Sequence, residues 1–150
     1  MHLTVTPGLQ SEIFAPTTPP PVWTPLKKPL NECKIGYATA GGVHLKVQEP
    51  FYAAGDFTYR EIPWDTKVED LMVTHGGYDN SDVNKDINCM LPMDRLREIA
   101  KEGMIGSLAD NMIGFMGGGG NVDKFKNETG PAVAEILKKQ GVDICVLTAG

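Results

Sequence analysis

The chain has 150 residues, of which 41% are hydrophobic and 22% charged, enough for one hydrophobic core and too few for two ordinary domains. A net charge of -5 gives a mildly acidic surface, which argues against a nucleic-acid partner that needs a basic stripe. No run approaches the roughly 18 to 20 consecutive apolar residues of a membrane span, and the amino terminus lacks a basic segment followed by an apolar one, so the chain reads as soluble and cytoplasmic.

Residues 1–30 hold seven of the eleven prolines: Pro7, Pro16, Pro19, Pro20, Pro21, Pro25 and Pro29. Proline fixes φ and supplies no amide donor, so this segment is expected to be an extended arm, with residues 17–23 (TTPPPVW) in polyproline conformation. Ile13, Phe14 and Trp23 are its apolar anchors and favour docking on this domain or on a neighbouring subunit; the alternative is a disordered leader.

Residues 31–150 alternate short apolar runs with helical or glycine-rich pieces, the pattern of an α/β domain with a largely parallel sheet and flanking helices. Five strands are predicted, at residues 34–39, 57–62, 71–74, 112–115 and 142–148. A helix over 92–102 places Leu96, Ile99 and Ala100 on one face and stops at Gly103. A second helical segment over 122–140 ends at Gly141, with Lys138 and Lys139 near the negative end of its dipole. Gly130-Pro131 is expected to kink or divide it, because proline cannot donate to the preceding turn. The last strand, with Val142, Ile144, Val146 and Leu147, has the character of one buried on both faces. The sequence stops at Thr148-Ala149-Gly150 with no helix to cover that strand, so the sheet is expected to be incomplete at the carboxyl terminus. In such folds the following turn is where ligands and reactive groups lie.

Polar groups concentrate between Thr74 and Asn88. The spacing of Asp82, Asn84, Asp86 and Asn88 suggests a calcium loop, but Ile87 stands where the turn glycine belongs and Met93 where the bidentate glutamate belongs, so that reading fails. Asn80, Asp82 and Asn84 are most simply turn formers and caps. His75-Gly76-Gly77-Tyr78-Asp79 reads as a loop leaving a strand, its glycines letting backbone approach a ligand. His75 and Asp79 are the candidate catalytic residues, for proton transfer or carboxylate positioning; the alternative for His75 is a hydrogen bond within the fold. Asp94, Arg95 and Arg97 form a solvated helix face, although an arginine could clamp a carboxylate.

Gly117, Gly118, Gly119 and Gly120 follow a predicted strand and precede a helix, a place where amides cradle an anion. Asn121-Val122-Asp123 rules out both a Walker loop and a dinucleotide fingerprint there. The candidate substrate-binding set is therefore Thr39, Gly41, Gly42, Gly76, Gly77, Asn80, Gly117, Gly118, Gly119, Gly120, Thr148 and Gly150, four loops of small residues gathered at one sheet edge as a cleft. The three cysteines, Cys33, Cys89 and Cys145, are far apart and form no CxxC pair, which disfavours a disulfide framework or structural zinc site; only Cys89 has the position of a reactive thiol, and the favoured reading even there is a small hydrophobe in a packed turn. No metal site is assigned.

Several long motifs carry a resemblance. The runs 75–80 (HGGYDN), 86–88 (DIN), 92–98 (PMDRLRE) and 102–106 (EGMIG) resemble the selenoprotein B family of glycine, sarcosine, betaine and D-proline reductases. Residues 17–25, 54–57 (AGDF), 115–120 (FMGGGG) and 124–131 (KFKNETGP) are similar to its D-proline reductase branch. The resemblance implies an oxidoreductase of amino-acid fermentation that cleaves the C–N bond of D-proline to give 5-aminopentanoate. It implies a selenocysteine directly after Gly150, hence a chain broken off before its nucleophile and inactive alone. It further implies a pyruvoyl group on a separate partner subunit and reduction by a dithiol or an NADH-linked electron-donor protein, with no cofactor in this chain. The alternatives are a glycine, sarcosine or betaine reductase subunit and a noncatalytic α/β docking module.

Overall fold

The computed structural model describes residues 24–117 and 122–149. Residues 1–23 of the expected arm, together with Gly118, Gly119, Gly120 and Gly150, lie outside the described residues. The strands are β1 (Lys34–Thr39), β2 (Val43–Leu45), β3 (Tyr59–Pro63), β4 (Leu71–Val73), β5 (Ser107–Leu108), β6 (Asn111–Phe115) and β7 (Ile144–Thr148). The helices are α1 (Met93–Lys101), α2 (Val122–Lys124) and α3 (Gly130–Lys139), the last two joined by a π turn, Phe125–Thr129.

β1 is the axis of the main sheet. Ile35 pairs with both Leu108 and Ile144, and Ala38 with both Ile113 and Leu147, so β5 and β6 share one edge of β1 and β7 holds the other, all parallel. β3 runs antiparallel on the far side of β6, and β2 with β4 forms a separate antiparallel pair. The α/β reading with a largely parallel sheet therefore holds. The strand predicted at 71–74 forms, but outside the main sheet: its three paired residues bond to β2, a strand too short to signal itself by alternation. The two-residue β5 escaped for the same reason.

The alternation of β1 sets the layers, since successive side chains point to opposite faces. Ile35 and Tyr37 join Val43, Leu71, Leu91 and Leu96 on the side of α1 and the small sheet. Ala38 packs with Ile113 and Leu137 on the side of α3. Gly36 faces Leu137 and Val142, and a Cβ there would come within 3.0 Å of both side chains. Met93 and Leu96 are the buried residues of α1, which ends at Gly103 with φ +72°. Arg97, on the supposedly solvated face, donates to the Trp64 and Thr66 carbonyls and pairs with Asp94, tying α1 to the turn after β3.

The division expected at Gly130-Pro131 is present as the π turn. The Gly130 amide reaches back to the Phe125 carbonyl, a spacing of five that absorbs the missing donor of Pro131. β7 has no partner on its outer edge among the described residues, and Val146 and Leu147 remain 38% and 72% exposed, so the strand expected to be buried on both faces is not. No described helix is long and apolar enough to cross a membrane.

The layer spacing hinges on Gly114, where a Cβ would lie 1.9 Å from the Val43 carbonyl oxygen, a backbone atom. Gly114→Ala is expected to lower unfolding stability by about 3 kcal/mol or more. Gly36→Ala, which meets only side chains, is expected to cost less. Urea midpoints of the two variants check the order.

Candidate functional site

The carboxyl ends of β1, β6 and β7 lie side by side. Thr39 is in register with Gly114 on one neighbour and Thr148 on the other. The Ala40 amide donates to the Thr148 carbonyl at 2.9 Å, and the Gly117 amide to the Ala40 carbonyl at 3.2 Å, so three of the four expected loops are stitched together by backbone. The Thr39 hydroxyl accepts the Gly41 amide at 3.1 Å, closing the turn locally. Gly42, with φ +73°, then reverses the chain into β2, a conformation that a side chain would strain.

The His75 loop reaches this edge through the small sheet. Its first residue, Thr74, donates its amide to the Gly42 carbonyl at 3.0 Å. The Tyr78 hydroxyl donates to the Gly41 carbonyl at 2.8 Å, and its ring lies over the His75 imidazole with centroids 4.7 Å apart. His75 Nδ1 accepts the Gly77 amide at 2.9 Å, so the neutral ring carries its proton on Nε2. Burial lowers the His75 pKa from its ordinary value of 6.5, favouring that neutral form. Of the two alternatives left open for His75, the hydrogen bond within the fold is present, made through Nδ1.

Asp79 is exposed, and its Oδ1 accepts the Ser81 amide at 2.9 Å, the contact that holds its carboxyl below the usual range. Among the described residues no hydrogen bond or ion pair joins Asp79 to His75; both occupy the same loop without forming a dyad. Asn80 donates from Nδ2 to the His75 carbonyl at 3.0 Å. Gly76 packs on a loop that sequence reasoning missed, since a Cβ there would come within 2.1 Å of the Ala53 carbonyl oxygen. The remaining polar run is structural: Asn84 accepts the Val73 amide, Asp86 accepts that of Asn88, and Asn88 accepts that of Asp94 at the start of α1. No group of three or more His, Cys, Asp or Glu able to hold a metal occurs among the described residues.

The amides of Gly41, Gly42, Gly77 and Gly117 are all donated within the chain. Polar capacity at the edge among the described residues also lies in side chains. His75 offers Nε2–H, and the Thr148 hydroxyl and Asn80 Oδ1 are shielded from solvent without a partner. His44 is a further residue that no motif flagged. It is fully buried, donates from Nδ1 to the Leu45 carbonyl at 2.7 Å, and takes the Thr74 hydroxyl on Nε2 at 3.0 Å. Tyr78 was legible only as part of the loop; its anchor to Gly41 depends on a contact 37 residues away.

Residues 21–150 match the family model described as Glycine/sarcosine/betaine reductase selenoprotein B (GRDB). The chain is 60% identical over 148 residues to D-proline reductase subunit gamma of Acetoanaerobium sticklandii, covering 99% of this chain and 61% of that protein. It is 33% identical over 136 residues to glycine reductase complex component B subunit gamma of Symbiobacterium thermophilum, covering 83% and 30% of the two. To sarcosine reductase complex component B subunit beta of Peptoclostridium acidaminophilum it is 29% identical over 152 residues, covering 94% and 34%. The chain thus spans less than two thirds of the length of each of these relatives. No solved structure matches it.

Burial lowers the pKa of both His44 and His75 below 6.5. The unfolded chain then binds protons in a pH range where the folded chain does not, so their contribution to stability is complete above about pH 6.5 and is lost as pH falls through the folded values. The lowered carboxyls of Asp56, Asp79 and Asp143 act in a separate, more acidic window. Urea midpoints are expected to fall between pH 7 and 5, and less steeply in His44→Gln.

Proposed function

The chain belongs to the glycine/sarcosine/betaine reductase selenoprotein B family, and from that membership we propose that it is part of the selenocysteine-bearing subunit of a cytoplasmic D-proline reductase. The observation that carries the choice within the family is the 60% identity to a D-proline reductase subunit, against 33% and 29% to glycine and sarcosine reductase components. The substrate is D-proline and the product 5-aminopentanoate, with electrons from a dithiol or an NADH-linked donor protein.

In this reading the pyruvoyl group of a partner subunit supplies electron withdrawal at the ring nitrogen, and a selenocysteine of the longer subunit supplies the nucleophile, favoured as selenolate at neutral pH. Turnover in this reading needs the longer subunit together with its pyruvoyl partner. A polar oxygen left without a partner on Thr148, at the carboxyl end of β7, fits an edge that receives further polar groups.

The residues present bind and orient. His75 donates Nε2–H to the substrate carboxylate, a charge-assisted bond available because Nδ1 is already satisfied. Tyr78 backs the imidazole and keeps water from one of its faces. Thr39, Gly41, Gly42 and Gly117 form the floor by backbone packing, with Thr148 beside them. Gly76, Gly77 and Asn80 shape the loop, with Asp79 ionised and exposed at its rim.

The test uses the full-length subunit, made with selenocysteine incorporation and combined with its pyruvoyl partner. D-proline is expected to give 5-aminopentanoate, with glycine, sarcosine and betaine left unreacted. His75→Ala is expected to raise KM for D-proline at least about 10-fold, the loss of one hydrogen bond to a charged group. Cleavage of glycine or sarcosine in place of D-proline would overturn the assignment, and an unchanged KM would remove His75 from the site.

A further inference from the structure

His44 is the one fully buried histidine among the described residues, and the chemistry assigned above makes no use of it. Its surroundings fix its state. A carbonyl can only accept, so Nδ1 carries the proton toward Leu45, and Nε2 of the neutral ring must accept from the Thr74 hydroxyl. The ring meets the edge of Phe51 at 5.7 Å, and Phe51 in turn lies under the Arg60 guanidinium at 4.5 Å. The Arg60 charge opposes a second one on His44.

Thr74 is held at two points, by its amide on the Gly42 carbonyl and by its hydroxyl on His44. The next residue is His75. Tyr78 then closes the loop from its other end, through its hydroxyl on the Gly41 carbonyl. Between these anchors the Gly77 amide sits on His75 Nδ1, and that contact decides which nitrogen carries the proton.

We propose that His44 is a positioning residue: by accepting the Thr74 hydroxyl it fixes the entry to the loop, so that His75 presents Nε2–H, in a single tautomer, to the carboxylate of an amino-acid substrate. The substrate part of this inference rests on the function proposed above; the tautomer part does not. Removing the Thr74 hydroxyl or its acceptor frees the loop entry, separates Gly77 from Nδ1 and lets the imidazole exchange tautomers. Substrate binding weakens while the chemical step is unaffected, because a carboxylate donor serves ground state and transition state alike.

Two readouts on the full-length subunit test this. The first is the imidazole nitrogen spectrum of histidine-labelled protein, read without substrate. Wild type and Thr74→Ser are expected to show His75 as the Nε2–H tautomer, and Thr74→Val and His44→Leu a mixture of the two. The second is kinetics of the complex with its pyruvoyl partner. Thr74→Val is expected to raise KM for D-proline about 3- to 10-fold with kcat within about twofold. His44→Gln, which retains an acceptor toward Thr74, is expected to recover most of what His44→Leu loses. Simple misfolding would lower kcat through the active fraction and leave KM alone. If His44→Leu does not fold, the near-isosteric Thr74→Val at a partly exposed position carries the test. A wild-type tautomer and an unchanged KM in Thr74→Val would overturn the proposal. A tautomer that responds in a complex inert toward D-proline would sink the functional reading and leave the positioning role standing.

Discussion

The turn from Thr39 to Gly42 is the constraint from which the rest of the edge follows. Its backbone bonds outward in three directions within four residues: to β7 through Ala40, to β6 through Gly42 and the segment just after β6 through Ala40, and to the His75 loop through Gly41 and Gly42. Each bond by itself contributes only about 1 kcal/mol, but all depend on one chain reversal at a positive φ, so they form or fail together. A loop on a small separate sheet is thereby held to the carboxyl ends of a parallel sheet it does not join.

This arrangement changes what glycines do at the site. A glycine-rich edge suggests amides aimed at an anion, yet four of these amides are already engaged within the chain. Here the missing side chains serve close approach. Gly114 admits the Val43 carbonyl, Gly41 admits the Met90 side chain, and Gly76 admits Ala53. Side chains also carry hydrogen-bonding capacity here, and His75 is the one whose donor, Nε2–H, is set by the bond that its Nδ1 accepts.

Much of this was legible in the sequence. β1 matches its predicted bounds, and α1 differs by one residue at each end, because alternation and the terminal glycine are strong local signals. An irregularity beside Pro131 was expected from the missing donor, although not that it takes the form of a π turn over Phe125–Thr129. The loop carrying His75 and the turn at Thr39 were identified from their small residues. What could not be read was long-range: that β4 pairs with β2, that Tyr78 reaches Gly41 and that His44 meets Thr74. Two- and three-residue strands carry no period, and a buried histidine in an apolar run has no motif to distinguish it.

The central claim is that one turn locks the His75 loop to the ends of β6 and β7. Amide hydrogen exchange on the chain measures it directly. The amides of Ala40, Gly42, Thr74 and Gly117 are predicted to be protected and to open with a common free energy, and Gly42→Ala is predicted to release all four together. Exchange of the Thr74 amide at the rate of an unstructured peptide, with Ala40 and Gly42 still protected, would contradict the account.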